Sequence, residues 1–363
     1  MASAIARLAE HGQSPWYDNL TRELVEGGGL ARLIKNDHIR GVTSNPTIFE
    51  KAMAQGNAYD DQLREVAGRG SIDDAYWTLV ERDIAGAADL LQPVHQRLGH
   101  ADGFVSVEVS PDLAHDTAQT ISDARELFAR LDRSNVMIKI PGTREGLPAI
   151  EESIAAGLNV NVTLIFSIRR YEEVVDAYMT GLERRVAEGE PVNLIGSVAS
   201  FFVSRVDTEA DRRLPKGDPL RGKLAIANAK LVYQRFLEFF CDEPRWRALA
   251  DRGARVQRPL WASTSTKNPA YPDTMYVDEL VGRNTVNTLA QASIDALHDH
   301  GDPKSDTILA DVDEARRVLS DLADAGVDYD DVTATLEREG VESFARSYHD
   351  CLHTLEKRAA ELG

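Results

Sequence analysis

Short apolar segments alternate with longer amphipathic segments along most of the 363-residue chain. Apolar runs bounded by turn residues are typical of buried strands, and the intervals at residues 116–131 and 167–186 carry apolar residues on one helical stripe. About eight strands that alternate with helices predict a parallel β/α barrel, with a doubly wound parallel sheet as the architectural alternative. The predicted strands cover residues 16–19, 41–45, 104–110, 135–141, 159–165, 192–200, 259–264 and 274–280.

The three glycines at residues 27–29 argue against the doubly wound alternative. A dinucleotide-binding loop would follow a strand with G-x-G-x-x-G spacing, whereas these glycines follow a predicted helix and predict a helix break. The helical segments 72–98 and 302–363 are additions to a minimal barrel. We expect a single domain over residues 1–363, with the barrel core at about 13–300 and residues 302–363 as a C-terminal helical extension packed on it.

The charge balance restricts the partners that we expect. The net charge of −18 disfavours nucleic acid and anionic membranes, and a phosphate ligand would need basic residues concentrated in one place. The two cysteines do not form a disulfide framework, and neither a long apolar run nor an apolar signal segment is present. These features together predict a cytoplasmic protein without membrane partners.

One lysine, Lys139, lies inside the predicted apolar strand 135–141. A charged amine in such a strand is costly unless its charge is lost or paired. A neutral lysine amine attacks carbonyl groups, so the position indicates a Schiff-base enzyme. The alternative is a lysine whose amine extends past the strand end into water.

Polar residues share one face of several predicted strands and lie towards their C-terminal ends. Because side chains alternate along a strand, the opposite face stays apolar and suits the helical ring. In β/α barrels the C-terminal ends of the strands carry the active site. Carboxylates beside an amine suit the proton transfers of carbonyl chemistry, amides suit the hydroxyls of a polyol, and a threonine could position a water. The residues are Asp18, Asn45, Glu108, Lys139, Asn161 and Thr163.

At these residues the chain resembles transaldolases, class I aldolase-type transferases of the non-oxidative pentose phosphate pathway, and in length it is similar to their longer bacterial branch. The resemblance implies a (β/α)8 TIM barrel of the class I aldolase type with additional helices. Taken as an ordered pair, GVTSNP at 41–46 and NVNVTL at 159–164 are highly specific for the family, whereas MIKIP at 137–141 alone is a weak signal. The motifs are GVTSNPTIF at 41–49, VSVEVS at 105–110, MIKIP at 137–141, NVNVTLIF at 159–166, ASFFVSR at 199–205 and LWASTSTKN at 260–268.

The resemblance also implies roles for individual residues. Lys139 corresponds to the Schiff-base lysine, Asp18 and Glu108 to acid/base carboxylates, and Thr163 to the residue that holds a catalytic water with Glu108. Some relatives carry arginine in place of the last phosphate ligand, where lysine would act as a point charge. The residues implied to bind substrate are Asn45 and Asn161 for the dihydroxyacetone unit, Ser200 for a hydroxyl, Phe202 beside the lysine, and Arg205, Ser263 and Lys267 for phosphate.

The implied reaction transfers a dihydroxyacetone unit from sedoheptulose 7-phosphate to glyceraldehyde 3-phosphate and yields erythrose 4-phosphate and fructose 6-phosphate. The partners are then small sugar phosphates, the protein is a monomer or a homodimer, and no metal or organic cofactor is needed. A fructose 6-phosphate aldolase-like activity, a pyridoxal phosphate enzyme and a non-catalytic sugar-phosphate-binding protein are the alternatives. The residue pair Glu108 and Thr163 favours transfer over free aldol cleavage.

Overall fold

A computed structural model describes residues 3–362 as a closed parallel barrel. Each strand pairs with its neighbours in the sequence, and the last strand pairs with the first. The predicted (β/α)8 barrel is therefore confirmed, and the doubly wound alternative is wrong. The strands are β1 Gln13–Tyr17, β2 Gly41–Thr43, β3 Phe104–Glu108, β4 Val136–Pro141, β5 Val160–Ile165, β6 Ser197–Phe202, β7 Arg258–Ala262 and β8 Thr285–Leu289.

Helices surround the barrel and also cover its C-terminal end. Short 3₁₀ turns occupy Pro111–Leu113 and Thr307–Leu309, and a π turn occupies Glu238–Asp242. The α-helices are α1 Ala4–Glu10, α2 Arg22–Glu26, α3 Gly29–Asn36, α4 Pro46–Ala54, α5 Asp60–Val66, α6 Ile72–Arg97, α7 Thr117–Leu131, α8 Gly146–Ala155, α9 Ile168–Ala187, α10 Ser204–Arg213, α11 Leu224–Leu237, α12 Pro244–Ala250, α13 Met275–Glu279, α14 Gln291–His300, α15 Val312–Asp324 and α16 Tyr329–Leu362.

Capping residues explain where several helices begin and end. The side chains of Asp116 and Ser167 accept hydrogen bonds from main-chain N–H groups in the first turns of α7 and α9, 3.0 and 3.1 Å away. Such caps satisfy N–H groups that have no partner within the helix. Gly28 adopts a left-handed backbone with φ of 74° between α2 and α3, so the predicted helix break is confirmed.

The eighth predicted strand, residues 274–280, is wrong. These residues form α13, in which the N–H groups of Val277 and Asp278 donate to the Thr274 carbonyl at 2.9 Å. The eighth strand is instead β8, whose polar residues find partners inside the barrel. Gln13 Nε2 donates to the Thr285 hydroxyl at 3.0 Å, and Asn287 Oδ1 accepts from a threonine hydroxyl at 2.8 Å. A search for apolar runs misses a strand whose buried polar groups are satisfied in this way.

The bounds of the sixth strand also differ from the sequence prediction. The sixth strand was expected at residues 192–200, whereas β6 occupies Ser197–Phe202. Val192 and Ile195 are buried in the preceding loop, and they account for the apolar character of that segment. Because these loop residues are apolar and buried, the sequence predicted a strand that begins earlier than β6 does.

The N-terminal end of the barrel is closed by a buried carboxylate, Asp102, which lies just before β3. It accepts hydrogen bonds from the Ser14 hydroxyl and from Trp16 Nε1, the latter at 2.8 Å. Its Oδ2 lies 3.3 Å from the Arg258 guanidinium at the start of β7. One side chain thus joins β1, β3 and β7 across the barrel, and its three partners offset the cost of burying the carboxylate.

The long helix α16 crosses the C-terminal end of the barrel. The Thr47 and Ser347 hydroxyls lie 2.8 Å apart, and both guanidinium contacts of Arg358 with Asp60 lie within 2.8 Å. The helix therefore contacts both α4 and the start of α5. Within residues 3–362, none of the helices combines the length and apolar character that a membrane crossing requires.

Asp102→Ala is expected to lower the free energy of unfolding by about 3–5 kcal/mol, because it leaves the half-buried Arg258 guanidinium without its anion and the buried Trp16 Nε1 without its acceptor. Urea unfolding followed by tryptophan fluorescence measures the change. Asp302→Ala is the matched control, since it removes a surface ion pair with Arg7 at 2.7 Å and should change stability by less than ~1 kcal/mol. Equal losses in the two variants would contradict the bracing role of Asp102.

Candidate active site

The register of three neighbouring strands sets Lys139 between Glu108 and Asn161. Glu108 pairs with Lys139 across β3 and β4, and Lys139 pairs with Asn161 across β4 and β5. Paired residues on adjacent parallel strands point to the same side of a sheet. The carboxylate, the amine and the amide therefore lie next to one another at the C-terminal end of the barrel.

The Lys139 side chain stays inside the protein. The residue is 5% exposed, and its Nζ donates a hydrogen bond of 2.9 Å to the Ser44 main-chain carbonyl. Glu108 Oε2 lies 3.4 Å from Nζ, and the Phe344 ring centre lies 5.9 Å from it. The alternative in which this lysine extends past the strand end into water is therefore wrong.

Glu108 ends β3 and is 5% exposed. Its burial raises the pKa of the carboxyl above the ordinary glutamate value, and the positive charge of Lys139 partly offsets that rise. Within residues 3–362, neither carboxyl oxygen has a partner with hydrogen-bond geometry. A buried carboxylate with open acceptor positions is suited to hold a water or to exchange a proton.

Thr163 lies on β5 where the regular strand pairing ends. The register between β5 and β6 shifts between Val162 and Ile165, and Leu164 has a φ of 59°. Thr163 lines the same cavity as Lys139, and its hydroxyl is buried without a hydrogen-bond partner among the described residues. Such an irregularity is common beside active sites, where it changes the direction of side chains.

Asp18 directly follows β1 and is half-buried. The Thr43 hydroxyl donates to its Oδ1 at 2.8 Å. Burial raises the pKa of this carboxyl, although the Thr43 hydrogen bond and the positive charges of Lys139, Lys267 and Arg205 oppose the rise. An aspartate with a raised pKa can exchange protons closer to neutral pH than an ordinary aspartate.

The two predicted asparagines have different surroundings. Asn161 is fully buried, its Nδ2 donates to the Ser106 hydroxyl at 3.0 Å, and its Oδ1 accepts from the Ser200 hydroxyl at 2.7 Å. Asn45 is the N-cap of α4, where its Oδ1 accepts from the Ile48 N–H at 3.1 Å. Its Nδ2 is therefore the atom with which Asn45 could donate to a ligand.

Positive side chains gather at the outer part of the cavity. The Arg205 guanidinium, on α10, lies 5.3 Å from the Phe202 ring centre and 6.0 Å from the Phe344 ring centre. Burial lowers its pKa, whereas the charge of Asp18 raises it. Burial also lowers the pKa of Lys267, and the nearby Arg205 charge lowers it further. Within residues 3–362 neither cation lies within 4.0 Å of a carboxylate, which leaves their charges available to an anion.

Ser263 links the loop after β7 to the start of α10. Its hydroxyl lies 3.0 Å from the Ser204 hydroxyl, and its carbonyl accepts from the Ser204 N–H at 3.1 Å. Its φ of 57° lies in the left-handed region, which is uncommon for serine. The loop therefore has a fixed direction where it approaches Arg205.

One cavity of about 270 Å³ contains nine of the eleven site residues predicted from the sequence. Glu108 and Asn161 do not line it, but each contacts a residue that does: Glu108 lies 3.4 Å from the Lys139 amine, and Asn161 accepts from the Ser200 hydroxyl. The nine predicted residues that line the cavity are Asp18, Asn45, Lys139, Thr163, Ser200, Phe202, Arg205, Ser263 and Lys267.

The cavity also contains residues that sequence reasoning missed. Lys51 lies on α4, the helix that begins after Asn45, four residues after Thr47. The two side chains therefore share one helix face, and this spacing could have predicted that Lys51 reaches the cavity. Phe344 comes from α16, and no local pattern in the sequence connects it with Lys139. The Ser44 carbonyl is a main-chain group, which the identity of the residue does not reveal.

Fold and site together define a β/α-barrel protein with a buried amine, two carboxylates and a cationic rim at the C-terminal end of the barrel. The family model for transaldolase/fructose-6-phosphate aldolase matches residues 15–355. The chain belongs to the transaldolase/fructose-6-phosphate aldolase family, so the resemblance stated from the sequence motifs is confirmed.

Curated relatives match the chain over its length. A protein named transaldolase from Acidothermus cellulolyticus is 49% identical, and the match covers 100% of both chains. The transaldolase of Saccharopolyspora erythraea is 50% identical over 98% of each chain. The transaldolase of Thermobifida fusca is 49% identical over 99% of each chain. Similarity at this level extends well beyond the site motifs.

Glu108→Gln is expected to stabilise the protein at pH 8 but not at pH 4. The raised pKa means that the unfolded chain ionises first, so the folded wild-type protein loses stability as pH rises from about 4.3 through the folded pKa. Glutamine stays neutral and avoids that loss. The thermal midpoint of Glu108→Gln should therefore exceed that of the wild-type protein by an amount that grows from pH 4 to pH 8. Glu65→Gln, at an exposed position on α5, is the control, and a pH-independent difference for Glu108→Gln would contradict this account.

Proposed function

We propose that the protein is a transaldolase that carries a three-carbon dihydroxyacetone unit on Lys139. The observation that carries the proposal is the buried Lys139 amine, 3.4 Å from the Glu108 carboxylate, at the base of a cavity with a cationic rim. Binding a sugar phosphate needs the cations but has no use for an amine beside carboxylates. The names of the curated relatives add independent support.

In the proposed first half-reaction, the Lys139 amine adds to the ketone carbon of a ketose phosphate, and loss of water gives an iminium. The neighbouring carbon–carbon bond then breaks. Its electron pair moves to the iminium nitrogen, and the proton of the adjacent hydroxyl moves to a carboxylate, for which Asp18 is the candidate. An aldose phosphate leaves, and a dihydroxyacetone enamine remains on Lys139.

In the second half-reaction, the enamine carbon attacks the aldehyde of a second aldose phosphate, whose oxygen takes up a proton. Water then adds to the new iminium, and cleavage of the carbon–nitrogen bond frees the ketose and the Lys139 amine. Glu108 and Thr163 are the candidates to hold this water, because their oxygens are buried without protein hydrogen-bond partners among the described residues.

The remaining residues are assigned by the part of the sugar phosphate that they suit. Asn45 and Ser200 line the cavity and can bond the hydroxyls of the three-carbon unit, and Asn161 would act with them by accepting the hydrogen bond that orients the Ser200 hydroxyl. Phe202 forms a wall of the cavity. Arg205, Ser263 and Lys267 form the proposed phosphate site, with Lys51 as a further cation at the same rim.

We propose sedoheptulose 7-phosphate and glyceraldehyde 3-phosphate as substrates, with erythrose 4-phosphate and fructose 6-phosphate as products. The protein would then act in the non-oxidative pentose phosphate pathway in the cytoplasm, without a metal or an organic cofactor. The contacts of α16 with α4, α5 and the cavity support its treatment as part of one domain with the barrel.

The acceptor decides between the two activities in the family description. A coupled assay with fructose 6-phosphate is expected to show turnover that depends on added erythrose 4-phosphate. Sedoheptulose 7-phosphate should accumulate in proportion, because the enamine passes to the aldehyde. Equal consumption of fructose 6-phosphate without the acceptor would favour the fructose 6-phosphate aldolase alternative, and no consumption in either case would contradict both.

Borohydride reduction in the presence of fructose 6-phosphate is expected to leave a stable three-carbon adduct on Lys139, because the reagent reduces the iminium. Peptide mass spectrometry locates the adduct. Lys230 is an internal control, since it is buried but donates to Glu279 at 2.9 Å away from the cavity. Lys139→Ala should abolish turnover while sugar-phosphate binding survives. An adduct on another lysine, or none, would refute the mechanism.

A further inference from the structure

The C-terminal helix α16 contributes Phe344 to the reaction cavity. This residue is 3% exposed and lines the cavity together with Lys139 and Thr163. Its ring centre lies 5.9 Å from Lys139 Nζ and 6.0 Å from the Arg205 guanidinium carbon. One aromatic side chain is thus next to both the proposed covalent site and the proposed phosphate site.

Contacts on both sides of Phe344 fix the position of this part of α16. One turn before it, Gly340 lies so close to the end of β5 that a Cβ there would approach Leu164 Cδ2 to 3.0 Å. One turn after it, the Ser347 hydroxyl lies 2.8 Å from the Thr47 hydroxyl, and the Tyr348 hydroxyl donates to Asp73. The small residue at 340 permits the close approach, and the polar contacts hold it.

The chemical character of the ring indicates its effect. A phenyl ring has no group that exchanges protons with a substrate, and it occupies space that water would otherwise fill. Its face also attracts a nearby cation, which suits both Lys139 and Arg205. The Phe202 ring centre lies 5.3 Å from the same guanidinium carbon, so two aromatic rings lie near Arg205. Phe344 therefore forms an apolar wall beside polar groups.

We propose that Phe344 shields the three-carbon unit on Lys139 from bulk water, so that the enamine persists until an aldehyde acceptor arrives. This inference rests on the proposed transaldolase function. The reaction that it suppresses is hydrolysis. The enamine carbon takes a proton, water adds to the resulting iminium carbon, and the carbon–nitrogen bond breaks to give free dihydroxyacetone and the Lys139 amine. Exclusion of water from a closed site limits side reactions of this kind.

The test compares two rates in the same enzyme preparation with fructose 6-phosphate as donor. One is the release of free dihydroxyacetone without acceptor, and the other is transfer to erythrose 4-phosphate. Phe344→Ala is expected to raise the ratio of release to transfer by on the order of tenfold, because water reaches the iminium carbon more freely. Phe344→Leu, which keeps apolar bulk, should lie between the alanine variant and the wild type.

Leu355→Ala is the matched control for loosening of the helix. Leu355 is also buried on α16 but lies outside the cavity, so its loss should leave the ratio unchanged even if thermal stability falls. If Phe344→Ala keeps the wild-type ratio, or if Leu355→Ala raises the ratio equally, the shielding role is refuted. Lack of acceptor-dependent transfer in the wild-type protein would instead refute the proposed function, so the two failures are distinguishable.

Discussion

The organisation of the site depends on burying one amine where few polar groups can reach it. Lys139 has the Ser44 carbonyl at 2.9 Å and the Glu108 carboxylate at 3.4 Å, and the register of β3 and β4 sets the second of these neighbours. Because the amine is buried, it interacts mainly with these two fixed partners and little with water. The pairing of β3 with β4 therefore determines which carboxylate lies beside the amine, in addition to holding the sheet together.

The opposite end of the barrel supports this arrangement without taking part in it. Asp102 joins β1, β3 and β7 through buried hydrogen bonds and an ion pair with Arg258. Two of these strands lead towards Asp18 and Glu108 at the other end. Charged groups thus lie towards both ends of the barrel. The charges are also unevenly distributed, since a chain with a net charge of −18 gathers four cationic side chains, Lys51, Lys139, Arg205 and Lys267, around one cavity.

Strand periodicity was sufficient to predict the barrel and the end at which the polar residues meet. Glu108, Lys139, Asn161 and Thr163 alternate with apolar residues, and alternation determines which face a side chain occupies. The sequence was less informative where partners are distant or belong to the main chain. The polar strand β8 is stabilised by Gln13, far away in the sequence, and Phe344 reaches Lys139 only because α16 crosses the barrel. No local pattern encodes contacts of this kind.

The pairing of β1 with β8 has a consequence for when the site comes into existence. Closure joins residues 13–17 to residues 285–289, and the cavity wall at Phe344 comes later still along the chain. The lysine, the carboxylates and the cations can be synthesised long before they have neighbours. During synthesis, or in a partly folded molecule, Lys139 is one ordinary lysine among others. The reactivity that we propose for it needs groups from the whole barrel and from α16, so it depends on the completed fold and not on any one segment of the chain.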